Sequence, residues 1–322
     1  MNVTTLRGAL AAVLLGIAAS AAAQNYPAGP IRIIVPFPAG GGVDTAGRLL
    51  GQKLSEAIGR PVLIDNRAGA NGMIGSEMVA KAPKDGYTLM VNGANFVTSP
   101  TLYAKSLYDP IKDFDAISLL AHAPNILVVH PSMPVKNVRE LIAFAKARPG
   151  EVLFAGSGSG STPHLAGELF KTQTGTKMVH VPYRGTGPAI TAILSGEVGS
   201  MFMPALTALP LIQSGRVRAL GVTSLERLPA LPQLPTVSES GLKGYQSSQW
   251  YGVLAPAGTS PDILNLLNGH AVKIMQSADM KERMKNSGSV AVGSSREVFA
   301  KFLQTEYSKW AQVIKASGAT VD

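Results

Sequence analysis

Short β-branched runs alternate with amphipathic segments along most of the chain. Residues 31–35 form the first such run, and in the segment that follows apolar residues recur at helical spacing, at Val43, Ala46, Leu50, Leu54 and Ile58. Further strands are predicted at 62–65, 88–91, 117–120, 126–129, 152–155, 179–181, 200–203, 217–222 and 250–255. Further helices are predicted at 73–82, 137–147, 164–172, 188–195, 261–277 and 296–315. This alternation is typical of a mostly parallel sheet with crossover helices.

The order of these segments predicts an α/β fold of two lobes, each a mixed sheet flanked by helices. One α/β unit starts, a second is inserted, and the chain returns to the first after a proline-rich crossing at 227–244. We expect lobe 1 to comprise residues 24–124 and 247–322, and lobe 2 residues 125–246. Two crossings between lobes form a natural hinge. Because ligands of α/β sheets bind at the carboxyl ends of strands, the facing edges predict a binding cleft.

The first 23 residues have the pattern of a secretory signal peptide. Arg7 precedes an apolar run at 9–19, and three alanines at 21–23 supply a cleavage site before Gln24. A bilayer-spanning helix needs roughly 20 apolar residues, so this run is too short to be one. The chain has no cysteine, which excludes a lipid anchor, a disulfide and a thiol nucleophile. We expect a periplasmic protein without a lipid anchor.

The charge and composition indicate a globular protein that does not bind nucleic acid. The chain is 46% hydrophobic and 15% charged, which is ample for a packed core, and its net charge is +9. The basic residues are scattered, and no dense basic tract is interleaved with aromatic residues. A diffuse positive field nevertheless attracts small anions.

Residues 36–44, Pro-Phe-Pro-Ala-Gly-Gly-Gly-Val-Asp, connect a predicted strand to a predicted helix. Three consecutive glycines allow backbone N–H groups to converge, and the helix adds its positive N-terminal end. The segment lacks the features of a Walker A loop or a dinucleotide fingerprint. It predicts a seat for a carboxylate; the alternative is a tight turn with no ligand. The candidate ligand-binding residues here are Phe37, Ala39, Gly40, Gly41 and Asp44.

Two later junctions of the same kind extend the candidate site. The loop at 156–164 offers backbone N–H groups and hydroxyls, with candidates Ser157, Ser159, Ser161, Thr162 and His164. The junction at 181–189 adds Tyr183 and Gly185, while Arg184 is either a ligand-pairing charge or a surface residue. Asn92 follows the strand predicted at 88–91 and is a further candidate. A glycine–serine connector without a ligand is the alternative for the second loop.

The sequence predicts neither catalytic residues, nor a metal, nor a cofactor. No serine has glycine at both minus two and plus two, so there is no nucleophile elbow. His164 and Glu168 have metal-ligand spacing, but no third ligand is near. The alternative function is an exported α/β enzyme, a hydrolase or isomerase, using His164 or Tyr183 in the same cleft.

The three junctions, in this order, resemble the Bug family of tripartite tricarboxylate transporter receptors. Further matching segments lie at 82–89, 215–220, 231–237 and 250–259, so the resemblance covers essentially the whole chain after the signal. It implies a Venus-flytrap fold and a soluble, monomeric receptor that delivers its ligand, usually a carboxylate, to integral membrane permease subunits. It also implies that residues 37–44 and 157–164 are two jaws, which hold a carboxylate through backbone groups and ordered waters.

One departure from the family pattern bears on the ligand. Where many relatives have acidic residues, this chain has Gly199 and Met203. A carboxylate there would pair with the ammonium of an amino acid, so we expect a ligand without an amino group, such as a dicarboxylate or an aromatic acid. Met203 is counted among the candidate ligand-binding residues. The alternative is that these positions changed without changing the ligand. A role as ligand-presenting partner of a sensor protein is compatible with this function.

Overall fold

The computed structural model describes residues 26–158, 160–183 and 185–320. The strands are β1 (Ile31–Val35), β2 (Val62–Asn66), β3 (Thr88–Gly93), β4 (Phe114–Val129), β5 (Leu153–Gly156), β6 (Val179–Pro182), β7 (Ser200–Pro204), β8 (Arg218–Val222), β9 (Ser248–Pro256) and β10 (Val290–Ala291). The helices are α1 (Gly42–Ile58), α2 (Met73–Ala80), α3 (Asn95–Leu102), α4 (Val138–Ala147), α5 (Thr162–Thr174), α6 (Thr186–Ser195), α7 (Ala205–Gln213), α8 (Pro261–Gln276), α9 (Ala278–Asn286) and α10 (Arg296–Ser317).

Strand β4 runs through both lobes and exchanges its partners midway. Its first part, up to Pro124, pairs antiparallel with β9. Its second part, from Asn125 onwards, pairs antiparallel with β7 on one side and β8 on the other. The lobe 1 sheet is β2-β1-β3-β9-β4 with β10 also on β4, and the lobe 2 sheet is β8-β4-β7-β5-β6. The predicted two-lobed α/β fold is confirmed; the exact domain limits stay a prediction.

Local capping accounts for several of the predicted helix starts. The Asn137 side chain accepts a hydrogen bond from the Glu140 N–H at 2.9 Å, and the Glu140 carboxylate accepts one from the Lys136 N–H at 2.7 Å. This is close to the capping-box arrangement that the sequence predicts. Ser295 caps α10 by accepting from the Val298 N–H. Both helices therefore begin where a polar side chain satisfies free N–H groups.

A shared aromatic core joins the two lobes behind the sheet. The fully buried Trp250 of β9 packs edge-on against Phe299 of α10, with ring centroids 5.8 Å apart. In lobe 2, the buried Tyr245 stacks on Phe202 and donates a hydrogen bond from its hydroxyl to the Ala166 carbonyl at 2.8 Å. All of these aromatic residues belong to one continuous cluster. The two lobes therefore share one continuous apolar core.

Some predicted elements differ from those in the structure. The strands predicted at 117–120 and 126–129 are one strand, because Pro124, which has no N–H to donate, lies where β4 changes partners. Helices α3, α7 and α9 and strand β10 were not predicted. Pro100 in α3 and Pro210 in α7 lie inside helices, a position that usually argues against a helix. Within the described part of the chain, no helix combines the length and apolarity that crossing a bilayer requires.

Candidate functional site

A cleft of about 750 Å³ lies between the two lobes. Its lining combines residues of both lobes. Lobe 1 contributes Gly40, Gly42, Thr45, Ala46, Leu49, Asn71, Asn95, Ala123, Pro124, Gln249, Tyr251, Met284, Ser287, Gly288 and Ser289. Lobe 2 contributes Asn125, Ser157, Ser161, Thr162, Pro163, Thr186, Pro204, Ala205, Leu206 and Thr207. A smaller pocket of about 430 Å³ shares Gly42, Asn95, Gln249 and Tyr251 with the cleft and adds Phe37, Pro38, Ala39, Gly41 and Val43.

Five helices begin in the wall of the cleft. The first residues of α1, α3, α5, α6 and α7 all line it, namely Gly42, Asn95, Thr162, Thr186 and Ala205. The first N–H groups of a helix have no partner within the helix and carry a partial positive charge. Among the described lining residues there is no Asp, Glu, Lys, Arg or His. An anion in the cleft would therefore meet uncharged hydrogen-bond donors and the positive ends of helix dipoles.

The first loop is held in place by Asp44, which is buried beneath it. Its carboxylate accepts hydrogen bonds from the Gly40 N–H at 2.8 Å, from Arg48 Nε at 2.9 Å and from Asn66 Nδ2 at 2.9 Å. The hydrogen bond from Arg48, more than any other contact, lowers the pKa of Asp44 to about 2. Asp44 thus orders the loop, and the Gly40 N–H is engaged inside it. Gly40 has a φ of 89°, which favours glycine.

The second loop is ordered by a neutral histidine. His164 accepts a hydrogen bond on Nδ1 from the Gly160 N–H at 3.0 Å, and its ring stacks on His180 at a centroid distance of 3.8 Å. Burial, followed by the charges of His180 and Lys171, lowers the pKa of His164 to about 3. The imidazole is therefore neutral at physiological pH. The Ser161 side chain caps α5 by accepting from the His164 N–H at 3.4 Å.

One hydrogen bond links the lobes directly across the cleft. The Thr162 hydroxyl, at the start of α5, donates to Gln249 Oε1 of β9 at 3.0 Å. The first loop also reaches β9, because a Cβ at Gly42 would overlap the Tyr251 hydroxyl. Gln249 and Tyr251 thus place β9 between the two jaws.

The structure brings together some of the predicted site residues. Gly40, Ser157, Ser161 and Thr162 line the cleft. Phe37, Ala39 and Gly41 line the adjoining pocket. Ser159, like Arg184, lies outside the described residues.

The remaining predicted residues, Asp44 and His164 included, are not in either lining. Asn92 is buried and donates to Ser76 Oγ at 3.1 Å. The Tyr183 hydroxyl donates to Glu197 at 2.7 Å. Gly185, with a φ of 107°, is the residue before α6. Met203 has no exposed surface and packs in the lobe 2 core: the residues of β7 alternate between the two faces of the sheet, and Met203 shares a buried face with Met201.

Several residues of the cleft lining were not predicted from the sequence. Asn95 and Asn71 are joined by a hydrogen bond from Asn95 Nδ2 to Asn71 Oδ1 at 2.7 Å. Asn125 and Gln249 lie where β4 and β9 cross between the lobes. Asn125 and Gln249 each come directly before an apolar strand segment, which was the one available signal for them. Thr207 belongs to α7, a helix that was not predicted.

The fold and the uncharged cleft between the lobes define a two-lobed binding protein. No group of three or more His, Asp or Glu residues lies together in the part of the chain that the structure describes. His164, proposed in the alternative function as a catalytic group, is buried beneath its loop.

Comparison with known proteins identifies the family. The sequence model of a protein family, described as the tripartite tricarboxylate transporter family receptor, matches residues 46–319. The protein BugT of Bordetella pertussis is 37% identical over 99% of this chain and 99% of its own length. The chain therefore belongs to the tripartite tricarboxylate transporter receptor family, and it is a solute-binding receptor rather than an enzyme, as the sequence predicted.

Solved structures agree with this assignment. Rpa4515 of R. palustris, described with adipate, is 35% identical with a TM-score of 0.77, covering 92% of this chain and 99% of its own. MatC of Rhodopseudomonas palustris, described with bound malate, is 31% identical with a TM-score of 0.73, covering 90% of this chain and all of its own. The family is one of periplasmic binding receptors.

Proposed function

We propose that this protein is an exported receptor that captures a small organic carboxylate between its lobes and delivers it to the integral membrane permease of a tripartite transporter. The observation that carries the proposal is the cleft itself, in which several helices start and no described lining residue is charged. Helix starts favour anions, and uncharged walls favour an organic body over a metal or a nucleotide. The protein acts as a monomer, with lobe limits at 24–124, 125–246 and 247–322.

The carboxylate binds between the first and second loops. Gly41 and Gly42 are at the start of α1, and Ser161 and Thr162 at the start of α5, so free N–H groups face the ligand from both lobes. Ser157 lines the cleft and extends the second jaw, and Ser159 stays a candidate from the sequence alone. Asp44 and His164 position these loops from behind, since each accepts a hydrogen bond from a loop N–H group, that of Gly40 and that of Gly160 respectively. A ligand that bridges the loops strengthens the closed arrangement that the Thr162–Gln249 bond already forms.

The ligand is a dicarboxylate or an aromatic acid without an amino group. Two relatives of known structure are described with adipate and malate, which are dicarboxylates. The cleft lining, as far as it is described, has no carboxylate that could pair with an ammonium. The Asp44 carboxylate is buried and fully engaged. Met203 has no part in this preference, because its side chain packs in the lobe 2 core.

A thermal-shift screen of mono-, di- and tricarboxylates tests the function. A ligand that binds only the folded state increases the free energy of unfolding by RT ln(1 + [L]/Kd), and the melting temperature rises as a result. We expect at least one carboxylate to raise it in a concentration-dependent manner, with calorimetry giving the affinity. The ligand should be recovered chemically unchanged by mass spectrometry, whereas conversion would support the enzyme alternative. No shift with any carboxylate would refute the proposal.

We expect succinate to bind at least tenfold more tightly than aspartate. The two ligands differ by one ammonium group, and burying that charge without a partner costs several kcal/mol. A tenfold difference needs only about 1.4 kcal/mol. Calorimetric titration of succinate against aspartate, and of a longer matched pair such as adipate against 2-aminoadipate, measures it. Tighter binding of the amino acids would show that the cleft has a partner for the ammonium.

We expect the exported protein to begin at or near Gln24. The signal pattern at 1–23 lies outside the described residues, so the prediction stands on sequence. N-terminal sequencing of protein from the periplasmic fraction measures the cleavage point. Periplasmic protein that begins at Met1 would show that the segment is retained.

A further inference from the structure

Asn125 is a buried polar residue that borders the cleft at the crossing between the lobes. It is only 2% exposed, and its Nδ2 has no hydrogen-bond partner among the described residues. Its backbone is fully used: the Asn125 carbonyl accepts from both the N–H and the hydroxyl of Thr223, each at 3.0 Å. Since buried amide groups are nearly always hydrogen-bonded, an unpaired one beside a ligand cleft points to a ligand atom as its partner.

A helix start lies beside this amide. Asn125 is opposite Pro204 in the β4–β7 pairing, and Pro204 is the residue before α7. No side chain caps α7, and its first residues, Ala205, Leu206 and Thr207, line the cleft. The free N–H groups of α7 and the side-chain amide of Asn125 are therefore neighbours. This site lies on a different part of the cleft wall from the two jaws, which lie at the starts of α1 and α5.

The opposite side of this corner is formed by residues 287–289. Gly288 has a φ of 67°, and a Cβ there would meet the Ala205 Cβ and the Leu206 N at 3.0 Å. Glycine thus lets this lobe 1 segment approach the start of α7 closely. Ser287 and Ser289 on either side line the cleft and offer hydroxyl groups. The corner has several neutral donors and no described acidic residue, so it suits an oxyanion.

We infer that Asn125 and the N-terminus of α7 form a second anion subsite, which binds the distal carboxylate of a dicarboxylate ligand. The inference rests on the proposed function, since it assumes that the jaws hold the first carboxylate. A second anion subsite favours dicarboxylates over aromatic monocarboxylates. The two jaws alone would not distinguish between these two ligand classes. Because Asn125 lies on the strand shared by both lobes, a ligand that spans the jaws and this subsite contacts the crossing itself.

The wild-type protein gives the first test. We compare succinate, glutarate and adipate with butyrate, pentanoate and hexanoate, which have the same chain lengths but only one carboxylate. The best dicarboxylate should bind at least tenfold more tightly than its matched monocarboxylate. Equal affinity within each pair would overturn the subsite while leaving the proposed function intact. Failure of both series to bind would overturn the subsite for linear dicarboxylates, whereas the proposed function is refuted only if every carboxylate of the thermal-shift screen fails as well.

Two substitutions locate the subsite. Asn125→Leu keeps the side-chain size and removes the donor, so dicarboxylate affinity should fall at least tenfold while monocarboxylate affinity stays within about twofold. Leu206 is 58% exposed, so Leu206→Asp should fold, and it places a negative charge in the first turn of α7. It should also weaken the dicarboxylate selectively, and the uncharged control Leu206→Asn should not.

Ligand discrimination is the decisive measurement. A merely structural role of Asn125 would weaken both ligands of a pair equally in Asn125→Leu, and this result would overturn the inference. If Asn125→Leu fails to fold, the dicarboxylate affinities of Leu206→Asp and Leu206→Asn are compared instead, and this comparison decides. Equal dicarboxylate affinity in those two variants would overturn it as well.

Discussion

Replacing Gly41 with aspartate is expected to weaken carboxylate binding at least a hundredfold. Gly41 is the residue before α1, with a φ of −81° and a ψ of 170°, a conformation that any residue adopts. A Cβ there would touch only the Pro38 carbonyl, at 3.8 Å. Aspartate is also a favourable N-cap residue, so the fold should tolerate it. Its carboxylate would accept hydrogen bonds from the first N–H groups of α1 and occupy the position proposed for the ligand carboxylate.

The expected loss follows from charge as well as from occupancy. Two carboxylates about 4 Å apart repel by about 4 kcal/mol at an effective dielectric constant of 20. A hundredfold loss corresponds to only about 2.8 kcal/mol. Isothermal calorimetry with the carboxylate found in the screen measures the effect, and the melting temperature of the unliganded variant reports its folding.

Gly41→Ala is the matched control for this variant. It adds the same Cβ without a charge or an acceptor, and its affinity should stay within a few fold of the wild type. Unchanged affinity in Gly41→Asp would remove the first loop from the binding site. An equal loss in both variants would assign the effect to the loop backbone rather than to the charge.

The fold could be predicted from the sequence where apolar residues follow a clear period. Strand β1 and helix α1 are at the predicted positions within a residue, because the first is β-branched at every position except Arg32 and the second has an apolar stripe. Helices α3 and α7 were missed because each contains a proline. Helix α3 packs mainly against α10, and α7 packs against β4 and β7; such tertiary contacts are not visible in a local pattern.

The candidate site was predictable only where the backbone carries it. The glycine-rich and serine-rich loops mark two helix starts, and the structure places both at the cleft. Met203 was misplaced, because a strand residue can face either side of its sheet and the sequence does not show which side is the cleft. Gln249 and Asn125 were missed because their importance depends on where two strands cross, which is a long-range feature.

Lowering the pH from 7 to 5 is expected to destabilise the unliganded protein by several kcal/mol. Burial lowers the pKa of His164 to about 3 and that of His122 to about 4. An unfolded histidine has a pKa near 6.5, so at pH 5 it is protonated in the unfolded state and neutral in the folded state. Because the unfolded state then binds more protons, the free energy of unfolding falls as the pH decreases.

The size of this effect follows from the difference between the pH and the unfolded pKa. The interval from pH 6.5 to pH 5 is about 1.5 units, so each of these two histidines lowers the free energy of unfolding by about 2 kcal/mol across it. His180, whose pKa burial lowers to about 4, adds a smaller amount because it is partly exposed and solvent screens its charge. Asp44, with a pKa lowered to about 2, loses its stabilising effect only as the pH falls from about 4 to about 2, so it leaves this window unaffected.

Urea unfolding of the unliganded protein at pH 7 and pH 5 measures the loss, and a substitution at His122 assigns part of it. His122→Gln removes one titrating group, so its loss between the two pH values should be about 2 kcal/mol smaller than that of the wild type. Phe302 packs edge-on against His122, with ring centroids 5.4 Å apart. The control Phe302→Leu should lower stability at both pH values but keep the full pH-dependent loss, since it leaves the imidazole in place. An unfolding free energy that is the same at pH 7 and pH 5 in the wild type would show that these histidines are protonated alike in the folded and unfolded states.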